Sequence, residues 1–226
     1  GSRVAVCGGG AAGVELALAV AYRLRVETGS EAPRVVLASG DTLLPGHAPG
    51  VVRRVRTALA QQGVELVEAR VRAGRDGLET LAGGPVRAQW IVAATGVRPP
   101  TWLAGAGLAL APDGFVAVGP GQRSASHPQV FAAGDVATRV DAPRPKSGVH
   151  AVRAGPVLTA NLQRALAGRD PLPYRPQRRS LYLLATGPKE AIVSWGGLAA
   201  SGALAWRWKD WIDRRFMRQY QKPAGD

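Results

Sequence analysis

Gly8, Gly10 and Gly13 stand at the end of an apolar run, Val4-Ala5-Val6-Cys7, and at the start of a helical pattern that continues through Glu15, Leu16 and Ala17. Glycines at this spacing hold an anion with backbone, not with side chains. The first permits a tight turn, the second lets the chain approach a pyrophosphate, and the third allows the helix to pack closely on the strand. The N–H groups of the first turn, from Gly10 through Ala11 and Ala12 to Gly13, then face the ligand with the positive end of the helix dipole. Glu15 lies two residues beyond. It has two readings, a carboxylate beside the bound nucleotide or an acid that suits a helix N-terminus.

The elements that must position this turn follow in order. Apolar residues Leu16, Val20 and Leu24 predict a helix over 14–26, and Gly29, Ser30 and Pro33 end it. Residues 34–39, Arg-Val-Val-Leu-Ala-Ser, read as a second buried parallel strand, with a loop over 40–46. The end of that strand normally carries the acid that binds the adenosine ribose. Here Ala38 and Ser39 occupy it, and no arginine follows at once, so NADH is slightly favoured over NADPH. A basic helix over 51–63, a strand over 64–67, a hairpin over 71–86 with turns at 74–77 and 83–85, and a closing strand over 89–94 complete a Rossmann-like unit. Arg53, Arg54 and Arg56 read as a solvated helix face.

The 226 residues carry a formal net charge of +13, drawn from arginine with only four lysines, and 46% are hydrophobic. Such a charge admits nucleic acid, an anionic membrane surface or an anionic small ligand as partner; the arginines are scattered and no nucleic-acid-binding pattern accompanies them, so no nucleic-acid partner is expected. Cys7 is the sole cysteine, so this sequence holds no internal disulfide, no CxxC pair and no cysteine metal cluster. It reads as a small buried hydrophobe. No metal site, nucleophile or triad is expected. No apolar run is long enough to span a bilayer. The reading is of a cytoplasmic chain, or one peripheral at the inner face of the membrane. Gly1-Ser2 resembles a cloning remnant, and the strand that follows at once implies a chain starting inside a longer protein.

Two further motifs, Ala94-Thr95-Gly96-Val97-Arg98-Pro99 and Ser126-His127-Pro128-Gln129-Val130-Phe131-Ala132-Ala133-Gly134-Asp135, follow the glycine turn in order. Together the three resemble the pyridine nucleotide-disulfide oxidoreductase superfamily, and within it the type II NADH dehydrogenase-like and apoptosis-inducing-factor-like branch, which lacks a redox disulfide. The resemblance implies FAD and NAD(P)H as cofactors. It implies an α/β fold: a nicotinamide nucleotide domain over 3–94, the carboxyl-side segment of a FAD-binding domain over 95–170, and a small α+β tail over 171–226. By the same resemblance Thr95 and Gly96 carry the chain between nucleotide domains. Asp135, at the end of a strand over 130–133, accepts a hydrogen bond from a flavin ribitol hydroxyl beside Gly134. Gly8, Gly10, Ala11, Ala12, Gly13, Glu15 and Ser39 line the nicotinamide nucleotide. His47, His127 and His150 read as structural.

The pattern departs from that branch twice. The paired glutamines that lie near quinone are replaced by the segment 146–156, beginning Lys146-Ser147-Gly148, which argues against quinone as acceptor. A separate amino-terminal flavin fingerprint is expected upstream of residue 1. The electron acceptor is therefore open, small-molecule or quinone-like. The alternative is a nucleotide-binding or docking module without turnover.

In the tail, a helix over 157–168 places Leu158, Leu162 and Leu166 on one face, and a proline-rich connector spans 171–177. Strands over 180–187 and 191–195 follow. A last helix within 202–221 carries Leu204, Trp208, Trp211, Ile212, Phe216 and Tyr220 as a stripe, suited to the membrane interface or to packing on a partner domain. Residues 208–217 also resemble the oxidoreductase module associated with selenide, water dikinase.

Overall fold

A computed structural model describes residues 2–29, 32–75 and 77–221. Ser30 of the predicted break, Asp76 of the predicted turn and Gly1 lie outside the described residues. The chain forms two compact units, Gly1–Thr95 with Leu181–Asp226, and Gly96–Ser180.

The first unit is built on β1 (Arg3–Cys7), α1 (Ala11–Thr28), β2 (Arg34–Ala38), α2 (Pro49–Gln61) and β3 (Glu65–Val67). After β4 (Val71–Gly74), β5 (Gly77–Thr80) and β6 (Pro85–Arg87) comes β7 (Trp90–Ala93). The parallel sheet has the order β3-β2-β1-β7, and β4-β5-β6 form a separate antiparallel sheet. Strand alternation explains why β1 and β2 read as unbroken apolar runs. Val6, Val35 and Leu37 point to the helix side, where Val14, Leu18, Val51, Val55 and Leu59 meet them. Ala5, Cys7 and Val36 point to the other side, against Leu78, Val86 and Ala88. Both faces are covered, as a buried parallel sheet requires. The predicted hairpin is thus a three-strand sheet, and it is the second cover of the Rossmann-like core.

The tail adds β10 (Leu181–Gly187), β11 (Glu190–Trp195), β12 (Leu198–Gly202) and α4 (Ala203–Arg218) to this unit. Leu184 and Ile192 enter the same core as Leu18, Leu43 and Leu44. The buried face of α4 departs from the predicted stripe. Ala205 is buried and Trp206, Ile212 and Phe216 are half-buried, while Leu204, Trp208, Trp211, Met217 and Tyr220 are exposed. β12 follows β11 by a tight turn and was not separable from it by pattern.

In the second unit, β8 (Val116–Val118) and β9 (Ala137–Arg139) pair in parallel, and α3 spans Gly148–Leu166. The strand expected over 130–133 reduces to a single bridge between Arg123 and Phe131. That bridge is closed by the Ala132 N–H on the Gln122 carbonyl and the Ser124 N–H on the Val130 carbonyl, while the Val130 N–H is taken up by a turn on the His127 carbonyl, so the pairing goes no further. The expected leucine face of α3 is not its buried face. Leu162 and Leu166 are exposed, whereas Ala154 and Asn161 are buried. Asn161 explains the choice: its amide donates to the Gly121 and Leu172 carbonyls and accepts from the Leu172 N–H. One polar side chain thereby fixes the proline-rich connector.

His47 supplies a pH-sensitive tie in the first unit. Its Nδ1 lies 2.8 Å from the Ser194 hydroxyl, and its ring meets Tyr182 edge-on. Burial lowers its pKa from the ordinary 6.5, because the charged imidazolium is poorly solvated there. The unfolded chain therefore takes up this proton first, and the contribution of His47 is present above pH 6.5 and lost as pH falls through the folded value. We expect the melting temperature to fall as pH drops below 6.5, with His47 contributing to that fall. His47→Gln should remove that portion of the drop in thermal scans; an unchanged pH profile would show that His47 is not responsible.

Candidate functional site

The carboxyl ends of β1, β2 and β7 meet at the glycine turn, and each glycine there faces a different neighbour. Gly8 has φ +131, a region closed to most side chains. Its N–H donates to the Ala38 carbonyl at 2.8 Å, and a Cβ on it would overlap the Ala94 carbonyl. A Cβ on Gly9 would overlap the Ser39 carbonyl, and one on Gly13 would overlap the carbonyl of Gly8. Gly10 is different. Nothing lies within 4 Å of the place its Cβ would occupy.

Gly10 is the N-cap of α1 and brings no capping side chain, and the first turn contains no acid. The leading N–H groups of Ala11 and Ala12 therefore have no intrahelical acceptor. Gly10 and Ala12 are exposed and Ala11 half-buried. The turn is an uncapped, positively polarised helix end with room before it, which fits a pyrophosphate.

Glu15 is engaged by the tail. Its Oε1 accepts the Ala185 N–H at 2.8 Å and lies 3.4 Å from Lys209 Nζ, which also pairs with Asp213 at 3.2 Å. Burial by itself would lower the Lys209 pKa, but the Glu15 and Asp213 carboxylates outweigh it and the value is raised. This carboxylate ties α1 to the tail sheet and α4.

Ser39 is buried behind Gly9, with its N–H on the Val67 carbonyl at 2.9 Å. Ala38 is buried too, so the expected place of a ribose-binding acid presents none. Beyond it, Arg70 Nε donates to Asp41 Oδ2 at 2.6 Å. Sequence reading missed this pair because its members are 29 residues apart. Thr95 follows Ala94 as an exposed residue, and Gly96 takes φ +92.

The second unit brings Gly134 and Asp135 beside the start of α3. Gly134 has φ +71, and its Cβ position is 3.5 Å from Ala151. Asp135 sits half-buried in a single 3-10 turn, Gly134–Val136. A cleft here is lined by Gln122, Gly134, Asp135, Lys146, Ser147 and His150 among others. Three of its buried polar atoms lack partners: Gln122 Oε1, Ser147 Oγ and His150 Nδ1. Gln122 is only 2% exposed, and its Nε2 is held by the Ala154 carbonyl at 3.0 Å. Groups of this kind inside a cleft can be satisfied by water or by a ligand that both donates and accepts.

Charge around the cleft is positive. Burial lowers the His150 pKa, and the Arg144 and Arg153 charges lower it further. Lys146 is lowered as well, chiefly by burial, against the pull of Asp113 and Asp135. Its ammonium donates to the Ala137 carbonyl and the Thr138 hydroxyl, both at 2.6 Å, and lies 4.1 Å from the Phe115 ring centre. His127 bonds Ser126 at 2.8 Å. Among the described residues no group of three His, Cys, Asp or Glu could hold a metal ion, and no helix is long and apolar enough to cross a membrane.

The family model described as pyridine nucleotide-disulphide oxidoreductase matches residues 1–155. The chain belongs to this family. Its fold is shared with the crystal structure of a FAD-dependent pyridine nucleotide-disulphide oxidoreductase from Desulfovibrio vulgaris, with a TM-score of 0.62 and 24% identity. That match covers 86% of this chain and 49% of the other, so the chain spans about half the length of the enzyme it resembles. No curated protein sequence matches it. The disulphide of the family name has no counterpart within this sequence, whose one cysteine, Cys7, is buried with its thiol pKa raised by burial.

Proposed function

We propose that the chain takes the nicotinamide nucleotide-binding role in a FAD-dependent NAD(P)H oxidoreductase resembling type II NADH dehydrogenases. The observation that carries this reading is the contrast at the glycine turn: three glycines are jammed against backbone carbonyls, and Gly10 alone faces open space at a free helix end. Gly10, Ala11 and Ala12 would hold the pyrophosphate of NAD(P)H through backbone N–H groups. Ser39 keeps the second strand's end pressed on Gly9. Asp135 would accept a hydrogen bond from a hydroxyl of the flavin's ribityl chain, and the orphaned atoms of Gln122, Ser147 and His150 would give FAD further partners. Thr95 and Gly96 would pass close to the cofactors without bulky side chains. When bound, nicotinamide and flavin supply the hydride chemistry between them, and the protein supplies position and charge. The segment 146–156 replaces the glutamine pair of the quinone-reducing branch, which weighs against quinone and favours a small-molecule acceptor.

Gly10→Val tests this directly, because its side chain enters open space and the backbone there, φ −78 and ψ 179, suits valine. We expect a folded protein with a modest loss of thermal stability, since valine caps a helix less well than glycine, and a loss of NADH affinity of about tenfold or more, read by nicotinamide fluorescence. Equal affinity in the variant would defeat the assignment. Bound flavin in the visible spectrum separates the oxidoreductase from the narrower reading, a nucleotide-binding module without turnover.

A second reading concerns α4, whose exposed Leu204, Trp208 and Trp211 lie with Arg207, Arg215 and Arg218 on the solvent side. Arg215 stacks over the Trp211 ring at 5.6 Å. Aromatic and basic residues on one helix suit an anionic lipid interface. The chain should co-sediment with phosphatidylglycerol vesicles and not with phosphatidylcholine ones, and Trp208→Ala with Trp211→Ala should abolish it. Sedimentation that ignores lipid charge would count against the lipid reading.

A further inference from the structure

We infer that the Asp41–Arg70 pair decides between NADH and NADPH, with Asp41 rejecting the 2′-phosphate and Arg70 held in reserve by it. The inference rests on the proposed nucleotide site at Gly10.

β2 and β3 are neighbours in register, with Ala38 opposite Val67, and the Ser39 N–H extends the pairing onto the Val67 carbonyl. The loops that leave these two strands therefore start side by side at the carboxyl edge of the parallel sheet. Ser39 backs Gly9, which places this edge next to the glycine turn. In a doubly wound sheet the adenosine ribose lies over this edge. Ala38 is buried and cannot meet it, so the first acid available past the strand is Asp41, reached through Gly40 at φ +73. Arg70 comes from the other loop. Its carbonyl accepts the Leu81 N–H at 2.9 Å, which anchors its backbone to the antiparallel sheet.

The side chains of Arg70 and Asp41 are 69% and 64% exposed. An exposed pair of this kind is held weakly, so a ligand can open it. A ribose 2′-hydroxyl can donate to Asp41 while Arg70 stays paired. A 2′-phosphate, which carries close to two negative charges, meets the Asp41 carboxylate first and must take Arg70 from it. Removing Asp41 abolishes the repulsion and frees a guanidinium suited to phosphate. Discrimination of this kind comes from the repulsive member as much as from the attractive one.

The test measures dissociation constants of NADH and NADPH on the full chain by nicotinamide fluorescence, at low and at moderate salt. Wild type should prefer NADH. Asp41→Asn should weaken NADH a few-fold, tighten NADPH, and shift the ratio by about tenfold or more toward NADPH. Adding Arg70→Ala to Asp41→Asn should return NADPH to weak binding. The NADPH gain should shrink as salt rises, as a phosphate–arginine contact demands. If both nucleotides bind wild type and the ratio does not move in Asp41→Asn, the specificity role is wrong and the nucleotide site stands. If the ratio moves equally with and without Arg70, the role of Arg70 is wrong. If neither nucleotide binds wild type, the site reading and this inference fall together.

Discussion

Close backbone contact at the end of β1 is the constraint from which the rest of the first unit follows. The carbonyls of Ala94, Ser39 and Gly8 stand where side chains would otherwise project from Gly8, Gly9 and Gly13. Only glycine lets three strand ends and the start of α1 converge at this separation. The convergence also fixes what is left over. Because the turn consumes its space on three sides, the one open side is in front of Gly10, where the α1 dipole and its unsatisfied N–H groups point. Packing thus selects the direction from which an anion can come.

The tail is organised around the same helix. Leu184 and Ile192 press on the Leu18 side of α1, and the Glu15 carboxylate binds the Ala185 N–H and the Lys209 ammonium. Burying a carboxylate costs free energy unless it is bonded and paired, and here it is both. A glutamate so engaged ties the amino-terminal part of α1 to the tail sheet and α4. The function of the fingerprint and the docking of the tail therefore meet in a single helix, one through its backbone and the other through a side chain.

Much of the first unit was legible because its signals are local. The glycine spacing, the apolar runs of β1 and β2 and the helical periodicity between them need no distant partner to be read. The second unit was less legible for the opposite reason. β8 and β9 are three residues each, too short for a period to show, and the expected strand at 130–133 pairs through one bridge only, because the Val130 N–H turns back on the His127 carbonyl. In α3, composition pointed to Leu162 and Leu166, but the bonds available to Asn161 turned a polar residue inward. In α4 the aromatic stripe is genuine as a pattern, yet Ala205 and its neighbours pack inward. Arg70 escaped notice because its partner, Asp41, lies on another loop. These are contacts that only the assembled sheet creates.

The central claim is that the uncapped start of α1 receives the pyrophosphate of a nicotinamide nucleotide. Its most direct measurement is an amide-resolved NMR titration of the chain with NADH. The account predicts saturable shifts that are largest at the Gly10, Ala11, Ala12 and Gly13 amides. Binding of NADH that leaves those four amides unmoved, with shifts gathered elsewhere in the chain, would contradict it.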